Sequence, residues 1–212
     1  MELLDIHTHY LFPSPEKVIL NCTLTRNELP SHVTYCSIGI HPWDLLDNNY
    51  LQKWDSLLTL AHDSRVIAIG EAGLDKSIAP SLSLQLDILK KQIQLADSLQ
   101  KPLIIHCVRS ANELIALKKE MKPLNPWIIH GFRGKKELAL EYVKHGFYLS
   151  FGENYLEESL RAIPLDHVFL ETDESAIDIS FLYSRVAESL GVPLDTLMNQ
   201  VQANIKNIFG CI

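Results

Sequence analysis

The sequence lacks the features that mark membrane, secreted and disulfide-stabilised proteins. No apolar run approaches the ~18 residues of a membrane span. The opening residues contain no basic segment followed by an apolar stretch, so we expect no signal peptide. Cysteine is scarce, and no C-x-x-C pair occurs among Cys22, Cys36, Cys107 and Cys211. We therefore expect reduced thiols and a cytoplasmic location.

Positive charge is also in short supply. The 212 residues include 19 Lys and Arg against 26 Asp and Glu, a formal net charge of −7. This balance argues against a surface that coats nucleic acid broadly. It does not exclude a phosphate-bearing substrate, because bound metal ions supply positive charge locally. The sequence indicates neither a membrane nor an obligate protein partner, and we expect one domain over residues 1–212.

Short apolar runs alternate with segments of helical periodicity along the chain. The eight runs are residues 3–4, 18–20, 35–40, 66–69, 103–105, 127–129, 147–151 and 168–170. Continuous apolar character is typical of parallel strands that are covered on both faces. The pattern therefore predicts an α/β fold, a TIM-type (β/α) barrel in a single domain. Residues 12–16 carry no clear helix, so we expect the first βα unit to be distorted or incomplete.

Two segments indicate where helices begin. Ser81 precedes apolar residues that recur at steps of three and four, and it is a plausible start of that helix. Gly134 is the predicted start of another.

Side chains that bind metals follow several of these apolar runs. His7 and His9 are two residues apart at the end of the first predicted strand, so both point to the same side. Four further strands end in a metal-binding type of residue, namely Glu71, His106, His130 and Asp173. In a parallel barrel such ends share one face, where active sites are built. Each residue alone also has a structural reading, as a strand cap, helix cap or ion pair.

Taken together, these six residues predict one or two divalent metal ions. Six ligands exceed the four of a closed structural zinc site, and two ions would use all of them. Oxygen and nitrogen ligands without thiolate suit Zn²⁺, Mg²⁺ or Mn²⁺. His41 closes another apolar run, in Gly-Ile-His-Pro at residues 39–42, and it either contacts substrate or braces the site.

These motifs occur in an order that resembles the TatD family of metal-dependent deoxyribonucleases, in the amidohydrolase superfamily. The motifs that carry the resemblance are Asp-Ile-His-Thr-His (5–9), Gly-Ile-His-Pro (39–42), Ile-Gly-Glu-Ala-Gly-Leu-Asp (69–75), Lys-Pro-Leu-Ile-Ile-His-Cys (101–107), His-Gly-Phe-Arg-Gly (130–134) and Leu-Glu-Thr-Asp (170–173). The resemblance runs from the first strand to about residue 173.

The resemblance implies a role for each ligand. One metal would be held by four side chains, namely His7, His9, Glu71 and Asp173. Glu71 would bridge to a second metal, which His106 and His130 also hold. Asp173 would take a proton from the attacking water as general base. The implied reaction is cleavage of a phosphodiester, in DNA, by a metal-activated water.

Three departures from the family pattern concern substrate binding rather than metal binding. The segment after His106 has one residue more than the family's His-x-Arg-x-Ala, which questions whether Arg109 faces the phosphate. The usual Thr-Asp-x-Pro reads Thr-Asp-Glu-Ser, which places Glu174 beside the site. The loop that follows is shortened to residues 176–180.

Three functions are therefore compared. The favoured one is a deoxyribonuclease in which Arg109, Arg133 and His41 contact the substrate. The alternative keeps the metals and acts on a small phosphoester, amide or lactone, which the acidic balance and Glu174 favour. A non-enzymatic, metal-stabilised binding module is least favoured, because six ligands are superfluous for structure alone.

Overall fold

The computed structural model describes residues 5–10, 14–24, 28–46 and 50–210. The predicted strand at residues 3–4, residues 12 and 13 of the first connection and Cys211 lie outside this range. The chain folds as two compact units, one formed by Met1–Leu20 and Ile128–Ile212 and the other by Asn21–Trp127. The single domain expected over residues 1–212 stays a prediction.

The described residues contain eight strands and seven α-helices. The strands are β1 (Asp5–Thr8), β2 (Val18–Cys22), β3 (Tyr35–Ile38), β4 (Val66–Asp75), β5 (Leu103–Val108), β6 (Trp127–Ile129), β7 (Phe147–Phe151) and β8 (Val168–Leu170). The helices are α1 (Tyr50–Leu60), α2 (Leu82–Leu99), α3 (Ala111–Met121), α4 (Lys136–Lys144), α5 (Glu157–Ala162), α6 (Ile179–Leu190) and α7 (Leu194–Phe209).

The order of the strands in the sheet is their order along the chain, from β1 to β8. A parallel bridge between Thr8 and Asp173 links the end of β1 to the segment after β8. Eight parallel strands in sequence order, with helices between most of them, are the topology of a TIM-type (β/α) barrel. The predicted fold class is confirmed.

Aromatic rings contribute to the largely aliphatic core of the unit that contains β7 and β8. These strands pair in parallel, with Leu149 opposite Val168 and Phe151 opposite Leu170. The buried ring of Phe147 lies 5.0 Å from that of Tyr142 on α4, measured between centroids. On the buried face of α7, the Asn204 amide donates hydrogen bonds to backbone carbonyls at both ends of a short segment, those of residues 165 and 168. These bonds fix α7 against the start of β8.

The unit formed by Asn21–Trp127 is built around β4, which is longer than predicted. Its continuous apolar run stops at Ile69, but the strand continues through the mixed segment Gly-Glu-Ala-Gly-Leu to Asp75, so Glu71 lies within the strand. Helix α2 begins where predicted, because the Ser81 hydroxyl accepts a hydrogen bond from the Leu84 backbone N–H at 3.3 Å.

Two buried glutamine side chains of α2 form hydrogen bonds with backbone groups of the sheet unit. Gln85 accepts from the backbone N–H of Asp75 at 2.7 Å and donates to its carbonyl at 2.9 Å. Gln92 forms the same pair of bonds with Ile40, at 2.7 and 3.1 Å. Since unpaired buried backbone groups are costly, these side chains hold the segments that carry the candidate site.

The structure corrects one predicted boundary and agrees with the expectation for the first connection. Gly134 does not start a helix, because α4 begins at Lys136 with Lys135 in the capping position. A Cβ at Gly134 would lie 2.7 Å from the Phe132 ring, so packing explains this glycine. In the first connection, the described residues form only the 3-10 turn Pro15–Lys17, as the incomplete first unit predicts.

Two further features concern the thiols and the helices. Cys22, Cys36 and Cys107 are free thiols, as predicted for a chain without a disulfide framework. Within the described ranges, no helix is both long enough and apolar enough to cross a membrane.

Adjacent leucines on α1 provide a test of this packing. Leu57 is fully buried, whereas Leu58 is 40% exposed. We expect Leu57→Ala to lower the free energy of unfolding by about 2–5 kcal/mol, because it leaves a cavity. Leu58→Ala, the control in the same helix, should change it by about 0.5 kcal/mol or less. Urea unfolding monitored by circular dichroism measures both, and equal effects would contradict the placement of α1.

Candidate metal centre

Three of the predicted ligands converge in the unit that contains β1 and β8. The Nε2 atoms of His7 and His9 lie 3.7 and 3.5 Å from Oδ1 of Asp173. Ligands about 2.1 Å from a tetrahedral ion are about 3.4 Å apart, so this spacing fits a shared divalent cation. The three donor atoms are imidazole nitrogens and a carboxylate oxygen, which suit Zn²⁺ or a similar ion.

Backbone pairing between the ends of β1 and β8 brings these side chains together. The Asp173 N–H donates to the His7 carbonyl at 2.9 Å, and the His9 N–H donates to the Asp173 carbonyl at 3.0 Å. Asp173 adopts a left-handed φ of 57°. This turn of the backbone accompanies the change from strand to loop at the ligand itself.

A buried carboxylate, Asp5, lies behind this group. It accepts hydrogen bonds from the backbone N–H groups of His7 and Thr172 at 3.2 Å, and from the Thr172 hydroxyl at 2.6 Å. Burial raises the pKa of Asp5 to about 7, although these hydrogen bonds oppose the increase. Through these hydrogen bonds Asp5 holds β1, which carries His7, against the segment that follows β8. Asp5 is not among the predicted ligands.

His130 lies beside a second buried carboxylate in the same unit. Its ring centroid is 4.4 Å from that of His7, and its Nδ1 is 3.4 Å from Oε1 of Glu171. Glu171 is fully buried and accepts a 2.6 Å hydrogen bond from the Gly131 N–H. Burial alone would raise the pKa of Glu171, but His130, His7 and Ser150 outweigh it and hold this pKa below its usual value.

Sequence analysis missed Glu171 as a member of the site. Ligand atoms of His130, Glu171 and Asp173 all lie within 4.8 Å of one another, so Glu171 belongs to a second possible cation-binding group. The available signal was an acidic residue directly after the fully buried strand β8. A carboxylate in such a position is found almost only with a partner or a metal.

The unit formed by Asn21–Trp127 contains a separate group around Glu71. Oε1 of Glu71 lies 2.9 Å from Nδ1 of His106 and 3.2 Å from Nε2 of His41. The rings of these two histidines are 4.3 Å apart between centroids. The other oxygen of Glu71 accepts from the Asn21 amide at 3.3 Å, and the Glu71 N–H donates to the Asn21 carbonyl oxygen at 3.2 Å.

The hydrogen bonds of His41 argue against a role as a metal ligand. Its Nδ1 accepts the backbone N–H of Trp43 at 3.0 Å. A neutral imidazole carries a proton on only one nitrogen, so Nε2 is the N–H that faces Glu71. A nitrogen that carries a proton has no lone pair for a metal. The structure therefore gives His41 the geometry of a hydrogen-bond donor.

His106 lies between two carboxylates. Its Nδ1 faces Glu71, and its Nε2 is 3.4 Å from Oδ2 of Asp75. Burial would raise the pKa of Asp75, but hydrogen bonds from Ser77, Trp43 and His106 outweigh it and lower this pKa to about 2. Neutral imidazole has one N–H, so one ring nitrogen must turn a lone pair towards an anion. A cation at Glu71 would relieve that repulsion and leave Nε2–H bonded to Asp75.

A glycine allows β5 to carry His106 this close to β4. A Cβ built on Gly73 would lie 1.9 Å from the carbonyl oxygen of His106, which no real side chain could tolerate. Gly73 and His106 are register partners in the pairing of β4 with β5. The predicted ligand on β5 therefore depends on a residue without a side chain on the neighbouring strand.

A cavity of about 230 Å³ opens beside Asp173. It is lined by Gly131, Arg133, Gly152, Glu153, Asn154, Glu171, Thr172, Asp173, Glu174 and Ser175. One of the predicted substrate contacts, Arg133, thus borders this cavity. Arg109 is exposed one residue beyond β5, with a left-handed φ of 52°.

The structure thus brings the predicted ligands together within each unit. His7, His9, Asp173 and His130 cluster in one, and Glu71 and His106 lie together in the other, with His41. The ligand, catalytic and substrate-binding roles assigned from the sequence stay predictions. Asn21 and Asp75, which contact Glu71 and His106, were not predicted as parts of the site.

Comparison with known proteins identifies the family. The sequence profile described as TatD related DNase matches residues 14–210. The chain belongs to this family. Among its relatives is tatdn3 of Danio rerio, provisionally named a deoxyribonuclease, with 30% identity over 207 residues, 85% of this chain and 77% of that protein. Another is the uncharacterized metal-dependent hydrolase YabD of Bacillus subtilis, with 36% identity over 149 residues, 66% of this chain and 58% of YabD.

Two further similarities concern a nuclease and a solved structure. The human 3'-5' RNA nuclease TATDN2 is 30% identical over 169 residues, which cover 74% of this chain but 22% of that protein. The crystal structure of YjjV, a TatD homologue from Escherichia coli, has a TM-score of 0.81 at 20% identity and covers 99% of this chain and 98% of YjjV. The latter similarity supports the barrel fold. The protein is thus a TatD-family member, and that family consists of metal-dependent hydrolases.

Asp75 provides a test of the metal site that spares the ligands. We expect Asp75→Asn to weaken the binding of a divalent ion roughly 10- to 100-fold, because the neutral amide no longer orients His106. Competition with a chelating dye measures this affinity for Zn²⁺ and Mn²⁺. Asp87→Asn, an exposed acid on α2, is the matched control. Unchanged affinity in Asp75→Asn would show that Asp75 does not support a metal ligand.

Proposed function

We propose that the protein is a divalent-metal-dependent nuclease that hydrolyses phosphodiester bonds, with DNA as its substrate. The observation that carries the proposal is the convergence of His7, His9 and Asp173, whose donor atoms have the spacing of ligands around one cation. Family membership supports the same chemistry. The proposed metal ligands are the six predicted from the sequence, and Zn²⁺, Mg²⁺ and Mn²⁺ are the candidates.

The chain's own residues have distinct roles in this proposal. When bound, a divalent cation lowers the pKa of a coordinated water and neutralises charge on a phosphate oxygen. Asp173 is the proposed proton acceptor, and its left-handed backbone aims it at the cavity that it lines. Arg133, on the wall of the same cavity, is the proposed contact for a phosphate oxygen. His41 offers Nε2–H as a donor.

The polynucleotide itself remains part of the proposal. The family is named for DNases, and human TATDN2 is named as an RNA nuclease. The formal charge of −7 favours a local contact with one or two phosphates over a long basic groove. We propose DNA first and treat RNA as a second substrate in the same assay. The cytoplasmic location and the absence of an obligate partner also stay predictions.

Activity on short single strands tests this proposal. We expect the metal-loaded protein to release nucleotides from DNA, and Asp173→Asn and Glu71→Gln each to lower kcat/KM by at least roughly 100-fold. Glu158→Gln, an exposed acid on α5, is the control and should retain full activity. Circular dichroism checks that each variant is folded. The proposal fails if Mg²⁺, Mn²⁺, Zn²⁺ and Co²⁺ all give no cleavage of either DNA or RNA.

The acidic wall of the cavity supports a second candidate function. Glu153, Glu171 and Glu174 line the cavity together with Asp173, against one cationic side chain, Arg133. Carboxylates repel a polyanion, whereas a small ester, amide or lactone brings little charge into the cavity. The same metal chemistry would then act on a small molecule.

Glu174 distinguishes the two candidates. If polynucleotides are the substrate, Glu174→Gln should lower KM for a DNA strand at low salt by roughly threefold to tenfold, because one repulsive charge is removed. The matched control is Glu157→Gln on α5, which is exposed and does not line the cavity. Activity on small phosphoesters and lactones with no effect of Glu174→Gln on DNA would favour the small-molecule hydrolase.

A further inference from the structure

We propose that Trp43 is a stacking platform for a nucleobase of the substrate, next to the Glu71 group. This inference rests on the proposed nuclease function, because it assigns the part of the substrate that a residue outside the ligand set recognises. Trp43 lies in the 3-10 helix Pro42–Leu46, directly after His41 and Pro42.

The exposure of Trp43 is unusual for a residue of its type. Trp43 is 56% exposed, whereas Trp127 in the same unit is completely buried. Tryptophan is highly buried on average, since its side chain offers one of the largest apolar areas available to a core. A single exposed apolar residue needs no explanation by itself. The fixed orientation of this one does.

The indole ring is held by its polar edge. Nε1–H donates to Oδ2 of Asp75 at 3.0 Å, and Asp75 is buried. The other oxygen of Asp75 accepts from the N–H and the hydroxyl of Ser77 at 2.8 and 2.5 Å. The side chain is therefore anchored before any ligand arrives, which reduces the entropy lost on binding.

The anchored ring lies next to the residues proposed for chemistry. Its centroid is 5.2 Å from the His41 ring, at an interplanar angle of 89°. It is 6.4 Å from the His106 ring, at 69°. The Trp43 backbone N–H also fixes the His41 ring through Nδ1. A base stacked on the indole would thus place its sugar and phosphate beside the His41 Nε2–H and Glu71.

Base stacking is a binding mode that is compatible with the negative net charge of this protein. A base stacks on an aromatic face through dispersion and is accepted with little regard to sequence, because every base has a π-face. Affinity gained in this way requires no basic surface, and the formal charge of −7 argues against a broad one. We therefore expect weak sequence preference and a shallow dependence of KM on salt, in contrast to proteins that bind through many phosphates.

Paired substrates with and without bases test the platform. One is a short single-stranded DNA, and the other is the same strand built from abasic residues. We expect Trp43→Ala to reduce the ratio of kcat/KM for the normal over the abasic strand by roughly 5- to 150-fold, the range for one stacked base. Trp43→Phe, which keeps an aromatic face, should restore part of the ratio. Trp54→Phe, on α1 in the same unit, is the control and should leave the ratio unchanged.

A binding measurement separates this inference from the nuclease proposal. Addition of dAMP should quench the tryptophan fluorescence of the Trp54→Phe protein, and deoxyribose 5-phosphate should not. If Trp43→Ala lowers kcat/KM equally for both strands, the residue has only a structural role and the inference is wrong. If no strand is cleaved by the unmodified protein, the nuclease proposal falls and the quenching decides. Quenching by dAMP that is lost in Trp43→Ala then supports a base-binding residue, and its absence refutes one.

Discussion

A fully buried carboxylate, Asp5, joins the end of β1 to the segment that follows β8. An unpaired carboxyl group in such a position would be costly, and Asp5 accepts hydrogen bonds both from β1 and from the segment that follows β8. The bonds to His7 and Thr172 determine how the two backbones run side by side. The proposed ligands on these strands approach one another because of that pairing. The geometry of the cation-binding group is thus a consequence of satisfying one buried carboxyl group.

In the unit formed by Asn21–Trp127, the segments near the candidate site are held by side-chain amides rather than by a carboxyl group. Gln85 and Gln92 occupy the same face of α2, seven residues apart, and each closes a pair of hydrogen bonds with one backbone unit, that of Asp75 or Ile40. The loops that carry His41 and Trp43 therefore begin from a fixed backbone. Helix α2 thus helps to position the donors and acceptors at the ends of β3 and β4, among them His41 and Asp75.

The sequence predicts the fold well, because apolar runs mark strands that are covered on both faces. Seven of the eight runs overlap β2 to β8, and the remaining one, residues 3–4, lies outside the described residues. Glu71 was expected after a strand but lies inside one, since β4 continues beyond its apolar part. Asn21 and Asp75 were not predicted, because their partners lie 50 and 31 residues away in sequence. Glu171 was not predicted, because the motif Leu-Glu-Thr-Asp that contains it was interpreted as a source of one ligand, Asp173.

The proton on His41 has a consequence for molecular discrimination. Since Nδ1 is held by the main chain of its own turn, the imidazole cannot exchange its tautomer without breaking that turn. While the turn persists, Nε2 therefore carries the hydrogen and directs it at Oε1 of Glu71, 3.2 Å away. A ligand that reaches this nitrogen competes with Glu71, so it must offer an acceptor, such as a phosphoryl or carbonyl oxygen, rather than an ammonium or amide hydrogen.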